Sequence, residues 1–530
     1  MLRPEASEVT AMKSWFVCLA VAIFEICIAY AVFSGILHIA GSRTYPFLWY
    51  GLTICILAAA WAAAHIVMKW FVGRCLFILE PGKERQAALA ERAVVACVIV
   101  TSAVIRLLVI GKLPITPSSD YQTYYQVAEQ LVKGGLGASG YSGYIAQFPH
   151  VIGYPFILSL LFRITGPSVQ AGLYLNTAAS LFNVFLTYRI SRSLCGRLGG
   201  LIAVFAAAFW PSQILYGAIL GSEAVFTCLL LLSIWLFIYL YRYPVRLSNR
   251  ESAIFLCVAL GILIALANAV RPLSVILLIA VVLCIVPFTV KFDINEKMLN
   301  GKLSRASCQG WFIALIISAT FLICSSLISA SISQTIAYKL PGSSVSFGYN
   351  LMVGVNIEAK GAWNQQDAEF FSNEFALTNS PDAAHRASAD VAFKRIGSDP
   401  VGVLNLSMEK FTFLWSNDDY GKTWTTLFLE QQGGLTPERA DMIRQFSQWN
   451  DWFYLLGLFF SFTYGLRILK QKKVGPEQAL ILLAVGTVAL HLFLETQNRY
   501  HYFVLPVFMI LSAMTVSEIY RDYHAQSKNA

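Results

Sequence analysis

Apolar runs of about 18 residues or more recur along almost the whole chain, and each is long enough to cross the roughly 30 Å hydrocarbon core of a bilayer. Of the 530 residues, 57% are hydrophobic and only 13% are charged, which is far more apolar surface than a soluble domain of this size needs. The pattern therefore predicts an all-α polytopic membrane protein with outer-face juxtamembrane helices.

About twelve membrane-spanning helices are predicted. The first run, 15–40, is too long for the core of a signal peptide and lacks a convincing cleavage site, so we expect a retained helix. The apolar stretch 151–164 is short, and Pro149, Gly153 and Pro155 interrupt its start, which favours a helix half-inserted at the outer face. The predicted spans are 15–40, 46–70, 93–112, 169–188, 198–216, 223–241, 252–269, 273–290, 310–331, 453–468, 476–494 and 501–519.

The placement of lysine and arginine predicts the orientation of these spans, because cytoplasmic loops are enriched in both residues. Assigning the basic loops to the cytoplasm places both termini inside and the functional residues on the extracytoplasmic face of the cell membrane. The same loops account for much of the net charge of +9. No basic stripe interleaved with aromatics lies elsewhere, so no nucleic-acid partner is expected. The basic loops lie at 69–92, 189–197, 242–250, 291–305 and 467–473.

The predicted spans divide the chain into four regions. Residues 1–92 form a two-helix membrane segment with a cytoplasmic loop, and residues 93–331 form a transmembrane core whose first outer loop is 113–168. Residues 332–452 are expected to form a small extracytoplasmic domain, and residues 453–530 the last spans and a cytoplasmic tail. The extracytoplasmic domain should contain a helix near 383–396, a helix start at Asp399–Pro400 and turns at KLPGSS and TNSPD. The tryptophans near its end favour an interfacial belt over sugar stacking; they are Trp415, Trp424, Trp449 and Trp452.

Asp120 and Glu223 are the leading acidic candidates, because ionisable groups at a membrane are costly and are often functional. Asp120 follows the third predicted span in TPSSDYQTYYQVAEQL, ahead of a short amphipathic helix. Glu223 begins a span after another outer loop. A helix cap would explain either residue and is compatible with a chemical role.

Basic candidates lie at the same predicted face. Arg271, between two apolar spans in ALANAVRPLSV, needs an anion, and a phosphate suits its planar donors, although snorkelling to the interface is an alternative. Glu495, Arg499 and His501 cluster in HLFLETQNRYHYFVLP, either as a structural ion pair or as a second phosphate contact. Tyr121, His150 and Tyr154 could line this face as well.

Several familiar chemistries have no motif in the chain. It lacks HExxH, the Walker motif, GxGxxG and GxSxG, which argues against chemistry driven by a cytosolic nucleotide. The eleven cysteines are scattered singly, which argues against a disulfide framework or a cysteine metal cluster. The sequence does not decide whether a divalent metal ion is required, and it predicts no certain cofactor.

The order of several short pieces resembles the GT-C glycosyltransferases, in the branch of protein O-mannosyltransferases and lipid A aminoarabinose transferases. The resemblance covers roughly residues 94–517. The pieces are SSDYQTYYQVAEQL, FPHVIGYPFILSLLFRITG, LYLNTAASLFNVFLTYRISRSLCG, FWPSQILYGAILGSE, NAVRPLSV and ETQNRYHYFVLP.

The resemblance implies inverting sugar transfer from a polyprenyl-phosphate donor to a protein, lipid or surface-polymer acceptor on the non-cytoplasmic face. Asp120 would then be the general base, with Glu223 as a second catalytic candidate, and Arg271 and Arg499 would bind the lipid phosphate. The remaining candidates would contact the donor or the acceptor; they are Tyr121, His150, Tyr154, Glu495 and His501.

Two departures from the family pattern and one competing function remain. A tyrosine follows Asp120 where the family often has a second acidic residue, and two helices precede the usual first helix. A secondary transporter or lipid flippase is the alternative, but the charges lie at helix ends and no internal repeat is evident. The sequence identifies neither the sugar nor the acceptor.

Overall fold

The computed structural model describes residues 6–41, 46–74, 84–134, 136, 141–242, 250–289, 305–340, 347–471 and 475–529. Within these ranges the regular elements are all helices, which confirms the predicted all-α membrane fold. The α-helices are α1 (Ala6–Gly41), α2 (Pro46–Arg74), α3 (Glu84–Lys112), α4 (Ser119–Lys133), α5 (Tyr141–Gln147), α6 (Gly153–Thr165), α7 (Val169–Ala208), α8 (Pro211–Tyr216), α9 (Glu223–Arg242), α10 (Arg250–Val270), α11 (Ser274–Thr289), α12 (Arg305–Ile336), α13 (Gly348–Gly354), α14 (Gln365–Thr378), α15 (Pro381–Ser398), α16 (Pro400–Trp415), α17 (Tyr420–Gln431), α18 (Pro437–Gln471), α19 (Gln478–Phe493) and α20 (Leu505–Asn529), and 3-10 turns lie at Pro149–Val151 and Asn498–Val504.

The number of helices able to cross a membrane is smaller than predicted. Among the described residues, nine helices are long and apolar enough, or ten if a bent pair forms one span. Two of the twelve predicted spans, 169–188 and 198–216, fall mainly within the single 40-residue helix α7. Two others correspond to the shorter apolar helices Ser274–Val286 and Gln478–Phe493. The gap between the predicted spans 169–188 and 198–216 contains Gly196, where α7 is kinked, and the count of twelve stays a prediction.

Helix α7 bends at Gly196, whose φ of +89° lies in the left-handed region that favours glycine. A closed ionic cluster, here called the Glu91 cluster, lies beside this bend. Tyr188 and Arg192 donate to Glu91 Oε1 over 2.7 and 2.6 Å, and Arg192 Nη2 reaches Oε2 at 3.2 Å. Arg197 Nε lies 3.3 Å from Oε2, so both carboxylate oxygens are engaged and α3 is tied to α7.

The short apolar stretch near residue 150 is bent rather than continuous. Tyr141–Gln147 and Pro149–Thr165 meet at 118°, in agreement with the predicted interruption. At Gly153, a Cβ would lie 1.9 Å from the carbonyl oxygen of Ala269, near the end of α10. Only glycine permits this approach, so Gly153 sets how closely α6 packs beside the turn that carries Arg271.

The polar segment between α12 and α18 is helical. Helix α15 confirms the helix predicted near 383–396, and α16 begins after Asp399, whose side chain accepts a hydrogen bond of 2.7 Å from the Gly402 amide. Residues 341–344 of the predicted KLPGSS turn lie outside the described residues. A second apolar core, centred on Tyr349, Met352 and Phe371, packs α13 to α16 together.

The two N-terminal helices pack against the rest of the protein. Helix α1 contacts α16, α18 and α19, and α2 contacts α20. Tyr30 Oη lies 3.1 Å from Thr412 Oγ1, and their hydrogen bond joins α1 to α16. At Gly35, a Cβ would lie 3.0 Å from the Ser416 carbonyl oxygen, so the helix backbone approaches the end of α16 closely.

Candidate functional site

Four charged side chains from distant parts of the sequence meet in one place, here called the charged cluster. Arg499 Nη2 donates to Asp120 Oδ2 over 2.9 Å, and Arg271 Nη2 donates to Glu223 Oε1 over 2.8 Å. Arg499 Nε lies 3.8 Å from the same Glu223 oxygen. The structure therefore brings together the four residues that the sequence placed first among the candidates.

Asp120 lies in the first turn of α4, but it is not the helix cap. The N-cap position belongs to Ser118, and Ser119 adopts φ +53°, a left-handed conformation that is uncommon for a residue other than glycine. The Asp120 side chain is 44% exposed while its partner Arg499 is 3% exposed. One buried arginine therefore holds a carboxylate that remains accessible.

Glu223 and Arg271 form the buried half of the charged cluster. Glu223 is the first residue of α9 and is 2% exposed, and its Oε2 has no hydrogen-bond partner among the described residues. Arg271 follows α10 directly, and its Nε donates to Ser222 Oγ over 3.2 Å. Its Nη1 makes no hydrogen bond within the described part of the chain. This arginine can therefore offer an N–H group to an anion.

Arg499 lies against two aromatic side chains. The Tyr121 and Trp424 ring centroids lie 4.9 and 4.8 Å from its central carbon, within the range of a cation–π contact. The two centroids are 6.1 Å apart with the ring planes at 75°, so the rings contact adjacent sides of the guanidinium group. Its Nη1 donates to the Tyr121 hydroxyl. These contacts were not apparent from the sequence, and they favour a role in holding Asp120 over direct contact with a lipid phosphate.

Tyr121 lies next to the charged cluster and supports it through its hydroxyl group. The side chain is 1% exposed, and its hydroxyl lies 2.8 Å from that of Tyr216, at the end of α8. Burial raises the pKa of Tyr121 well above the ordinary value for tyrosine, so the phenol stays neutral at physiological pH. The residue that follows Asp120 thus acts as a neutral hydrogen-bonding partner of Arg499. Tyr216 was not among the predicted residues.

Tyr154 is linked through Asn176 to the residues just before Glu223. His150 lies on the 3-10 turn that precedes α6 in the chain. The fully buried Tyr154 donates to Asn176 Oδ1 over 3.0 Å, and Asn176 Nδ2 donates to the Gly221 carbonyl over 2.8 Å. These bonds tie α6 and α7 to the residues just before Glu223. The half-buried His150 ring lies 6.3 Å from Phe148. Tyr154 therefore has a supporting position, and a substrate could not touch it without rearrangement.

Glu495 and His501 make contacts that differ from those of Arg499, although Glu495 remains within electrostatic reach of Arg499 and Asp120. Glu495 Oε1 accepts a hydrogen bond of 2.9 Å from Gln497, and burial raises the pKa of this carboxyl. His501 is fully buried, and its Nε2 lies 2.8 Å from Asp418 Oδ1. The structure thus places His501 in a second buried group of polar side chains.

This second group centres on Asp418 and was missed from the sequence. Trp210 Nε1 and Ser212 Oγ each donate to Asp418 Oδ2 over 2.6 Å, and Asn450 donates to the Asp418 carbonyl. Burial raises the pKa of Asp418, although its donors oppose this effect. The adjacent carboxylates in NDDY were the only available signal, and they carry no recognised spacing.

The predicted tryptophan belt is only partly apparent. Trp415 is 2% exposed and packs against His501. The Trp424 ring centroid lies 4.8 Å from the guanidinium carbon of Arg499. Trp449 is 59% exposed, as an interfacial residue would be. Trp415 and Trp424 therefore belong to the protein interior around the candidate site.

No group of three or more His, Cys, Asp or Glu side chains in the described ranges is arranged to hold a metal ion. The nine cysteines whose side chains are described are free thiols.

Residues 149–330 match the family of dolichyl-phosphate-mannose-protein mannosyltransferases. This stretch includes Glu223 and Arg271, and the match confirms the resemblance to GT-C glycosyltransferases there. No curated protein matches the sequence.

Solved structures of membrane glycosyltransferases are also similar to the chain. The oligosaccharyltransferase of Archaeoglobus fulgidus tethered to an acceptor peptide has 15% identity and a TM-score of 0.44, over 82% of this chain and 51% of its own. The same organism's AglB, in complex with an inhibitory peptide and a dolichol-phosphate, has 14% identity and a TM-score of 0.40, over 82% and 52%. ArnT from Cupriavidus metallidurans, bound to undecaprenyl phosphate, has 12% identity and a TM-score of 0.31, over 80% and 78%. The chain spans about half the length of the archaeal enzymes, and likeness at this level carries no information about individual residues.

Proposed function

We propose that this protein is an inverting glycosyltransferase that moves a sugar from a polyprenyl-phosphate donor to an acceptor on the non-cytoplasmic face of the membrane. One observation carries the proposal: an accessible carboxylate, Asp120, lies beside a buried arginine pair, of which Arg271 retains a free N–H group. The family match over residues 149–330 supports the donor class.

The geometry supplies a base and an anion-binding group for a single displacement. Asp120 accepts a proton from the acceptor hydroxyl or amine, whose lone pair forms the new bond to the anomeric carbon of the sugar. The bond between that carbon and the phosphate oxygen breaks at the same time, and its electron pair leaves with the polyprenyl phosphate. Arg271 Nη1 donates to the departing phosphate as its charge develops. One displacement from the opposite side inverts the anomeric configuration.

The other members of the charged cluster hold these two groups in place. Arg499 fixes Asp120 Oδ2, and Glu223 Oε1 fixes Arg271. Glu223 Oε2 has no partner among the described residues, and a hydroxyl of the bound sugar would satisfy it. Glu223 therefore takes part by orienting Arg271, and its buried Oε2 could meet a sugar hydroxyl only after the site rearranges.

The proposal includes the membrane topology predicted from the basic loops. Both termini lie in the cytoplasm, the charged cluster lies at the outer face, and the prenyl tail stays in the lipid. Residues 332–452 form the outer domain beside the site, between the spans of 93–331 and 453–530. The acceptor is a protein, a lipid or a surface polymer.

Asp120→Asn tests the base directly. In proteoliposomes supplied with polyprenyl-phosphate sugars and with an envelope extract that contains the acceptors, both from producing cells, we expect consumption of the lipid-linked sugar to fall by about 10² to 10⁴-fold. Mass spectrometry of the donor pool gives the rate. Asp441→Asn is the matched control, because Asp441 is similarly exposed (43%) and also paired with an arginine.

Near-normal turnover of a folded Asp120→Asn protein would refute the base assignment. A transporter or flippase would give a different result, since solute or lipid flux would persist in this variant without any loss of the lipid-linked sugar.

A further inference from the structure

Arg499 is carried by an unusual piece of backbone. It lies on the 3-10 turn Asn498–Val504, between the end of α19 and the start of α20. Hydrogen bonds in 3-10 turns have poorer geometry than those in α-helices, so such a turn does not fix a side chain firmly by itself. Ties to other elements must therefore determine where Arg499 lies.

Two of those ties lead to neighbouring carboxylates, Asp418 and Asp419. Asn498 Nδ2 donates to Asp419 Oδ1 over 3.0 Å, and His501 Nε2 lies 2.8 Å from Asp418 Oδ1. The two contacts lie one residue before and two residues after Arg499. They hold the 3-10 turn on both sides of the arginine.

Asp418 is itself held by side chains at the junction of α7 and α8. Its Oδ2 accepts hydrogen bonds from Trp210 and Ser212 at the junction of α7 and α8, and it is fully buried. The same short helix α8 ends at Tyr216, whose hydroxyl meets that of Tyr121. The residues in and just before α8 thus support both the turn that carries Arg499 and the helix that carries Asp120.

We propose that Asp418 is a positioning residue, which holds Arg499, and through it Asp120, by fixing His501 on the 3-10 turn. The inference rests on the proposed function and extends it to residues outside the charged cluster. Asp418 and His501 are enclosed and touch no substrate, so their loss misplaces the base without removing a donor contact.

Arg271 meets this turn only through the Tyr500 ring, whose centroid lies 5.8 Å from its guanidinium carbon, and through the Glu223 oxygen that it shares with Arg499. Its hydrogen bonds are to Ser222 and Glu223, so we expect donor affinity to depend less on Asp418 than turnover does.

This expectation separates positioning from simple packing. A buried carboxylate with several donors can contribute to stability alone, and breaking such a pair is costly anywhere in a protein. A packing role predicts that Asp418→Asn resembles the loss of any other buried ion pair. A positioning role predicts a fall in turnover that exceeds the fall in donor affinity, because small displacements of a reacting group cost up to about 100-fold.

The kinetic experiment uses the full-length protein in proteoliposomes with three variants. We expect Asp418→Asn and His501→Ala to lower turnover at least about tenfold, with a clearly smaller loss of undecaprenyl phosphate affinity. His501→Gln retains an N–H group of similar reach and should recover part of the turnover lost in His501→Ala. Equal losses of turnover and affinity, or no loss of turnover, would overturn the proposal.

Glu91→Gln is the matched control. Glu91 is also a buried carboxylate with several donors, but it lies about 30 Å before the end of α3 at 1.5 Å per residue. We expect a lower melting temperature with wild-type turnover. If Glu91→Gln slowed turnover as strongly as Asp418→Asn, general destabilisation would explain both, and the positioning role would be rejected.

Hydrogen exchange gives a readout that does not depend on the proposed function. Asp418→Asn should speed amide exchange in 498–504 and 119–124, whereas Glu91→Gln should leave both segments unchanged. Faster exchange in both segments together with no transfer by any form of the protein would retain the positioning role and refute the enzyme. Unchanged exchange in Asp418→Asn would refute the positioning role, whatever the activity.

Discussion

Two glutamates in this protein each lie beside two arginines. The two clusters differ in how completely the carboxylate oxygens are hydrogen-bonded. In the Glu91 cluster, Tyr188 and Arg192 satisfy one carboxylate oxygen, and Arg192 and Arg197 engage the other. In the charged cluster, Glu223 Oε1 is held by Arg271 at 2.8 Å, with Arg499 farther away at 3.8 Å. Glu223 Oε2 and Arg271 Nη1 have no partner in the described ranges.

In this pair of clusters, complete pairing identifies the Glu91 cluster as a structural tie. Unpaired buried atoms also occur elsewhere, as at both carboxylate oxygens of Glu25, so in the charged cluster they count only together with the accessible Asp120. Polar groups buried in a protein are almost always hydrogen-bonded, so an unpaired atom in a native structure needs an explanation. The Glu91 cluster has no unpaired carboxylate oxygen and ties two helices together. The charged cluster keeps unpaired atoms next to an accessible aspartate, as expected where a ligand completes the set.

The sharpest test of this contrast after Asp120→Asn pairs Arg271→Ala with Arg192→Ala. Hydrogen bonds to charged groups contribute about 1.5–3 kcal/mol, so Arg271→Ala should weaken undecaprenyl phosphate binding by about 10 to 100-fold. Arg192→Ala should leave that affinity unchanged. Binding can be measured by native mass spectrometry of the detergent-solubilised protein. Equal affinities in the two variants would remove Arg271 from the donor site.

Glu223→Gln and Glu91→Gln compare the two carboxylates themselves. Glu223→Gln removes the charge that orients Arg271, and we expect turnover to fall about tenfold, as for the loss of a charged hydrogen bond. Glu91→Gln should lower the melting temperature while turnover stays at the wild-type level. If the two variants exchanged these phenotypes, pairing would be a poor guide to function here.

Trp424→Leu tests whether the aromatic contacts hold Arg499. The change removes one cation–π contact and the Nε1 hydrogen bond of 2.9 Å to Asn498. A cation–π contact at a partly exposed site contributes about 0.5–1 kcal/mol, so a loss of turnover of about two- to fivefold is expected. Trp449→Leu, at an exposed tryptophan, serves as the control. An effect of equal size in both variants would count against a role of the Trp424 ring.

Lys410 gives a prediction for stability rather than for activity. Its buried Nζ donates to the carbonyls of Gly354, Leu492 and Leu494 over 2.7 to 3.1 Å, and burial lowers its pKa from 10.5 to about 7. Between these values the unfolded chain binds more protons, so the contribution of Lys410 to the free energy of unfolding rises with pH. The melting temperature of the wild type should therefore rise relative to that of Lys410→Met from pH 7 to 10. Parallel pH profiles would show that the lysine keeps its proton.

The sequence predicted the helices and the members of the charged cluster better than it predicted their contacts. Hydropathy shows where an apolar helix lies, but Gly196 bends α7 by a backbone conformation that no hydropathy pattern reveals. Asp120, Glu223, Arg271 and Arg499 were recognised because charge is rare at the ends of apolar spans. The contacts of Arg499 with Tyr121 and Trp424 depend on packing between segments about 380 and 75 residues apart, beyond the reach of local patterns.

The close packing of α1 on α16 has a practical consequence for anyone trimming this chain. Tyr30 bonds to Thr412, and Gly35 approaches Ser416, two residues before Asp418. A shortened version that begins at Glu84 would uncover the apolar side chains of Phe411 and Trp415 and loosen the support behind Asp418. Helices α1 and α2 should therefore be retained in any minimal version made for crystallisation or engineering.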